Sequence, residues 1–264
     1  MSGTAASDAP EVGPLLREWR RRAGVTQLEL ALRADSSARH VSFIETGKSR
    51  PSREMVLRLA EHLDIPVRER NALLMAAGYA PHYPESAFDS PALGALRAGL
   101  DRLLAAYEPF PALVLDGTYR VWGANRGVEL LLDGVAPHLL APPLNAMRVT
   151  LHPEGLAPRI LNFREWRGHL LDQMRGQFAL LRSAPLRALY EEVAAYPLPP
   201  GGGERAGESG APVLPMLLDH GGRRLAFLST LTTFNTPVDV TVSELAVETF
   251  LPADPETAAH LRER

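Results

Sequence analysis

Arg39, Lys48 and Arg50 stand close together in one stretch, TQLELALRADSSARHVSFIETGKSRP (26–51), which also carries Thr26, Gln27, Ser37, Ala38, Ser42 and Phe43. These types suit nucleic-acid chemistry. An arginine can donate two parallel N–H groups to the O6 and N7 edge of guanine, which assigns base reading to Arg39. Lys48, the only lysine of the chain, and Arg50 can neutralise backbone phosphates, and the Gln27 amide can donate to one. Other chemistry is poorly supplied. His152, His169 and His220 are far apart, no His-x-x-x-His pair occurs, and there is no cysteine, hence no disulfide framework and no thiolate ligand or nucleophile. No serine has a G-x-S-x-G setting, and Gly201-Gly202-Gly203 has neither a leading strand nor a following G-K-[ST].

The DNA reading requires a helix held up as a free rod. Thr26 can cap a first helix, and Glu29 three residues on completes a capping box. Leu28, Leu30, Ala31 and Leu32 supply its apolar stripe, and Ala31 is small where a partner must cross closely. Asp35-Ser36-Ser37 breaks the pattern, and Ser37 can cap a second helix that buries Val41 and Ile44 and leaves Ala38, Arg39, Ser42 and Phe43 outside. Gly47 tolerates the left-handed turn that ends it, and Lys48-Ser49-Arg50 follows as a basic loop. A rod of helical width fits the major groove. A helical hairpin that only packs would show part of this pattern. The joint occurrence of TQ, the small Ala31, V-S-x-I-E-x-G-K and the closing R-P-S favours DNA.

On these residues, 13–78 resemble the DNA-binding domain of the XRE family, the phage-repressor/Cro type. SARHVSFIETGKSRPS and REMVLRLAEHLDIPVRERNALLMAAGYAP resemble its MmyB-like branch, and the likeness runs to about residue 252. The resemblance implies a C-terminal PAS-like ligand-binding domain and a small lipophilic or fatty-acid-like ligand. Ser36 departs from the family, which usually has an apolar residue beneath the turn; the cost is on the order of a kcal/mol.

Composition sets bounds. A chain of 264 residues with 45% hydrophobic content can build one large or two modest cores. No run of eighteen apolar residues spans a membrane, and MSGTAASDAPEVG lacks the basic and apolar regions of a secretory signal, so a soluble cytoplasmic protein is expected. The net charge of −3 argues weakly against nucleic acid, but residues 1–78 hold 12 Lys+Arg against 10 Asp+Glu while the remainder hold 16 against 21. The positive excess lies where the DNA reading needs it.

In chain order, residues 1–10 read as a disordered start and 11–78 as an all-α five-helix domain of the helix-turn-helix kind. Its first helix runs from Glu11 or Pro14 to Ala23, with arginines outside or at the edges. A fourth helix opens at Pro51-Ser52, and a fifth covers Val67 to Ala77. Residues 79–89, with two prolines, read as a linker, and 90–264 as an α+β domain. Ser90-Pro91 opens an amphipathic helix to Tyr107, whose leucines must cover a sheet or a second copy of themselves. ALVLDGTYRVWGAN reads as a hairpin turning at Asp116-Gly117, Asn162–Leu181 as a long helix and Leu186–Ala195 as a shorter one. Three strands, Val213–Leu218, Arg223–Phe234 and Thr241–Phe250, and a terminal helix capped by Asp254 complete it. The pattern predicts an α+β domain; the five-stranded antiparallel PAS-like sheet is what the resemblance implies.

No cofactor and no metal is expected. A haem would need a histidine facing the cavity, and His169 on the long helix can equally be at the surface. His152 in LHPEG reads as a capping or otherwise satisfied histidine. What remains is a cavity lined mainly by carbon. Its candidate walls are Trp122 and Asn125 from the hairpin, Phe163, Trp166 and Leu170 from the long helix, and Phe227, Ser229, Leu231 and Thr233 on one face of the fourth strand. The opposite face of that strand is also apolar, and the same side chains can fill a core with no ligand. The partners expected are a double-stranded DNA operator, an inverted repeat read by a homodimer, and a small lipophilic ligand. The alternative is a DNA-binding regulator, also not an enzyme, whose C-terminal domain only dimerises or docks a protein.

Overall fold

A computed structural model describes residues 11–181, 183–199 and 213–263, and the start 1–10 lies outside them; the strand expected from Val213 begins instead at Met216. The chain forms two compact units. The first comprises residues up to 86 together with Thr236–Ser243, the second Ala87–Asn235 and Glu244–Arg264.

Among the described residues, the stretch up to 86 of the first unit forms five helices: α1 Val12–Arg22, α2 Gln27–Arg33, α3 Ala38–Glu45, α4 Arg53–His62 and α5 Val67–Ala76. Each boundary has a local cause. The Thr26 hydroxyl accepts from Glu29 N–H at 3.1 Å while the Glu29 carboxylate accepts from Thr26 N–H at 3.4 Å, the reciprocal box that starts α2. Ser37 caps α3 by accepting from His40 N–H, and Ser52 caps α4 by accepting from Met55 N–H. Gly47, at φ +71°, stops α3. Gly13 lets α1 lie against the end of α3, where a Cβ would come within 2.6 Å of Ile44 O. Leu16, Leu30, Ala31, Val41, Ile44, Leu59 and Leu73 fill the core. Leu28 and Leu32, read above as part of the buried stripe, instead lie 60% and 72% exposed. Helix α2 is only seven residues long and buries just Leu30 and Ala31, so its other leucines fall on the open side.

The predicted linker is tied down on both sides. The Asn71 side chain accepts from His82 and Tyr83 N–H and donates to Tyr83 O. Val240 N–H donates to Pro84 O at 2.8 Å, and Ser86 N–H to Asp239 Oδ2 at 3.1 Å. A short helix, Val240–Glu244, occupies the start of the expected strand from Thr241. Asp239 caps it by accepting from Thr241 N–H, a local bond that competes with extension.

The second unit carries a five-stranded antiparallel sheet in the order β2-β1-β5-β4-β3. The strands are β1 Ala112–Leu115, β2 Val121–Ala124, β3 Met216–His220, β4 Arg223–Thr233 and β5 Ala246–Pro252. Alternation sorts their side chains onto two faces. Helix α6, Gly94–Ala106, covers one face: Leu100 and Leu104 pack with Ala112, Val114 and Val247. Its leucines thus cover the sheet of their own chain, with Leu96 half-buried and Leu103 exposed at 39%. The other face carries Leu113, Leu115, Leu225, Phe227 and Phe250 and is covered by helices. These are α7 Glu129–Leu132, α8 Pro137–Leu140, α9 Ala146–Leu151, α10 Phe163–Leu181 and α11 Ala184–Ala194, while α12 is the Val240–Glu244 helix and α13 Pro255–Arg262 closes the chain. Asn145 caps α9 by accepting from Met147 and Arg148 N–H.

Candidate functional site

On α3, Val41, Ile44 and Glu45 face the core, which turns Ala38, Arg39, Ser42 and Phe43 outward. Two cations converge on the half-buried Phe43 ring: the Arg39 guanidinium lies 5.2 Å and the Lys48 ammonium 5.9 Å from its centroid. Phe43 O accepts from both Lys48 and Ser49 N–H, which folds the basic loop back over the end of α3. Ring contacts of this kind contribute about 0.5–1 kcal/mol at an exposed site, enough to order the two cations without holding them away from a phosphate or a base.

Two other candidates are engaged internally. Gln27 Nε2 donates to Glu45 Oε2 at 2.8 Å, and Glu45 also receives Arg20 through Nε at 2.6 Å and Nη2 at 3.0 Å. Burial pushes the Glu45 carboxyl up, but the hydrogen bonds from Arg20 and Gln27 and the Arg20 charge outweigh it and hold the group below the ordinary glutamate value. Arg20, read above as an edge residue, is therefore the internal partner of a buried acid. The sequence signal was the glutamate of F-I-E on the inward side of α3. Arg50 donates through Nε to Ala77 O and through Nη2 to Gly78 O, and stacks on Tyr79. It closes the end of α5 while remaining exposed. Thr26 and Ser37 serve as caps, and Ser36 Oγ sits 3.3 Å from His40 Nδ1.

A cavity of about 90 Å³ lies within the second unit, between the inner sheet face and the helices. That is several times the ~15 Å³ one water requires. Leu113, Val121, Met216 and Phe250 form its sheet side, Leu131, Met147, Val149, Trp166 and Leu170 its helix side. Of the nine wall residues expected from the sequence, Trp166 and Leu170 line it. Phe163 and Phe227 are buried in the surrounding core. The face of β4 bearing Phe227 and Ser229 is the inner one, since Ser229 stands opposite Phe250. Leu231, 45% exposed, and Thr233 lie at its open end. Trp122 lies on the other face, where its ring meets Phe88 at 4.6 Å and Nε1 donates to Asp116. A bulge between Val114 and Leu115 shifts the β1–β2 register and separates it from the cavity wall formed by Val121 and Ala124. The Asn125 amide is fully used, accepting from Ala112 N–H and donating to Leu104 O and Phe110 O.

Sequence reasoning missed Glu248. It sits on the cavity wall and takes a 2.7 Å hydrogen bond from Ser229 Oγ. Burial pushes its carboxyl up. The side chain is half-buried. The available signal was an acid at the inward position of A-V-E-T-F, between Ala246 and Phe250.

His169 is exposed and shows the cavity its neighbours Trp166 and Leu170 instead. Among the described residues, His138, His152 and Glu154 form a surface group whose ligand atoms lie within 4.8 Å. His152 Nδ1 already accepts from Glu154 N–H at 3.0 Å, the capping role read from LHPEG.

Residues 96–263 match the profile described as the MmyB-like transcription regulator ligand binding domain. The chain belongs to that family. Residues 16–70 match a helix-turn-helix profile, so this MmyB-like chain is a DNA-binding transcription regulator. Among solved structures, the clp gene regulator ClgR from Corynebacterium glutamicum is similar at 28% identity over 37% of this chain and 90% of that one, with a TM-score of 0.23. An RNA-binding Light-Oxygen-Voltage receptor is similar at 14% identity over 99% of this chain and 67% of that one, with a TM-score of 0.27. The search of curated proteins found no match. Among the described residues, no helix is long and apolar enough to cross a membrane.

Proposed function

We propose that this MmyB-like regulator reads an inverted-repeat operator as a homodimer, and that a small apolar, acyl-chain-like molecule in the second unit changes its DNA affinity. The observation that carries the ligand half is a cavity walled almost wholly by carbon inside a domain of a ligand-binding family. Thr236–Ser243, which belongs to the first unit, runs directly into β5, and β5 supplies Glu248 and Phe250 to the cavity wall. Ligand contacts on that strand therefore bear on a segment continuous with the reader unit. Such a ligand acts only if it prefers one arrangement of the chain over another. Cytoplasmic residence follows from the DNA target.

The dimer half rests on size: one helix-turn-helix unit reads too few base pairs to address a genome. Leu100 and Leu104 of α6 cover the sheet of their own chain and are not offered to a second copy. Sedimentation with operator DNA tests this, and a monomer at micromolar concentration on and off DNA contradicts it.

Arg39 is assigned the base edge and Lys48 a phosphate. Arg39→Ala is expected to weaken operator binding by about 1–3 kcal/mol and to relax preference at one base pair. Equal affinity of variant and parent in an anisotropy titration removes Arg39 from the reading set. Lys48→Ala is expected to weaken binding to all duplexes alike and to make the log-affinity against log-salt slope shallower by about one. A changed sequence preference with an unchanged slope would make Lys48 a base reader.

A further inference from the structure

We propose that Glu248 reads the head group of the ligand, so that the cavity selects a lipophilic molecule whose polar end donates a hydrogen bond and rejects one ending in a carboxylate. This deepens the ligand reading above and rests on it.

Four observations carry the proposal. Among the described residues, Glu248 is the only ionisable one on the cavity wall, and no arginine, lysine or histidine lies there. Its one hydrogen bond among the described residues comes from Ser229 and reaches Oε1, which leaves Oε2 to the cavity. The central position of β5, between β1 and β4, fixes that carboxyl on rigid backbone: Glu248 stands opposite Leu113 on one side and Leu231 on the other. Tyr119, which feels the Glu248 charge, is already committed, since its hydroxyl donates to Gln177 Oε1 at 2.8 Å. Burial, with the Glu248 charge nearby, pushes that hydroxyl up to about 12, so it remains neutral.

Glu248 is the polar acceptor on an otherwise apolar wall, and a ligand whose head group donates to it gains a hydrogen bond that the carbon wall cannot give. A hydroxyl or amide does so as a neutral group. An ammonium does so by pairing with the ionised carboxylate. A carboxylate finds the opposite situation: it meets a second carboxyl against an apolar wall and, among the described lining residues, no cation to answer its charge. The apolar wall takes the chain in each case, so the head group alone decides.

The test uses the full-length protein, stripped of bound lipid, at pH 8, with four probes of equal chain: octan-1-ol, octanamide, octylamine and octanoate. Met147 and Met216 both line the cavity, so methyl-labelled methionine resonances report occupancy directly. The three donor-headed probes are expected to bind at least tenfold more tightly than octanoate. In Glu248→Gln, whose side-chain amide can itself donate, octanoate is expected to gain at least tenfold and the discrimination to vanish. Octanoate binding as tightly as octanamide to the parent protein overturns the head-group assignment and leaves the apolar-ligand reading standing, as does an unchanged ratio in Glu248→Gln. If none of the four shifts Met147 or Met216, both readings fall together.

Discussion

Glu45→Ala is expected to destabilise the first unit by about 3–5 kcal/mol, the range for breaking a buried ion pair from one side. The Arg20 and Glu45 side chains are 11% and 1% exposed, so the guanidinium left behind cannot easily recover water. Gln27 loses its acceptor in the same step, and the α1–α3 crossing at Gly13 loses the polar tie beside it. The pH dependence follows from the same contacts. A carboxyl held below its unfolded value contributes stability that is fully present above that unfolded value, near pH 4.3, and is lost as pH falls through the lower folded one. The parent should therefore lose stability on acidification below about pH 4.3 more steeply than Glu45→Ala does. Denaturant-dependent amide exchange in α1 and α3 of the full chain measures both effects. A loss under about 1 kcal/mol, with parallel pH curves, would show that Arg20 and Gln27 merely lie beside Glu45.

Phe227→Asp is expected to abolish the cooperative fold of the second unit. Removing a buried phenyl ring costs about 3–5 kcal/mol by itself, and Phe227 is fully buried, edge-on to Phe250 at 6.4 Å between centroids. The new carboxylate would be placed among buried apolar side chains. A substitution on the cavity wall should behave differently. Ala146→Leu fills the cavity with apolar atoms at a half-buried wall position, so it is expected to exclude ligand while the fold survives. Near-ultraviolet circular dichroism separates the outcomes. A folded Phe227→Asp that has lost only ligand binding would place that ring on the wall.

The contrast between these two positions shows what was legible in the sequence. Caps and stops were legible because each depends on residues within one turn: Thr26 with Glu29, Ser37, Ser52, Gly47 and Asp254 act where they stand. The long helix and the hairpin were legible from their periods. Wall and core were not, because Phe163 and Trp166 share one face of α10 and only the curvature of the sheet decides which of them meets the cavity. Trp122 was misplaced by one bulged residue. Gln27 and Arg50 look like free polar side chains until partners 18 and 27–28 residues away claim them. Glu248 was passed over because a glutamate in a strand normally marks the solvent side, and here its neighbours in alternation, Ala246 and Phe250, set it inward.

The most direct test of the account is a pair of operator titrations with protein freed of bound lipid, one without addition and one with lipid extracted from cells. The operator is first selected from random duplexes by the protein itself. The account predicts that the two curves separate by about 5- to 150-fold in affinity, the usual span of coupling between sites, and that the separation disappears in Ala146→Leu while DNA binding remains. Superimposed curves for the parent protein, together with purification of the chain free of any small molecule, would contradict it and leave a regulator whose second unit serves only assembly.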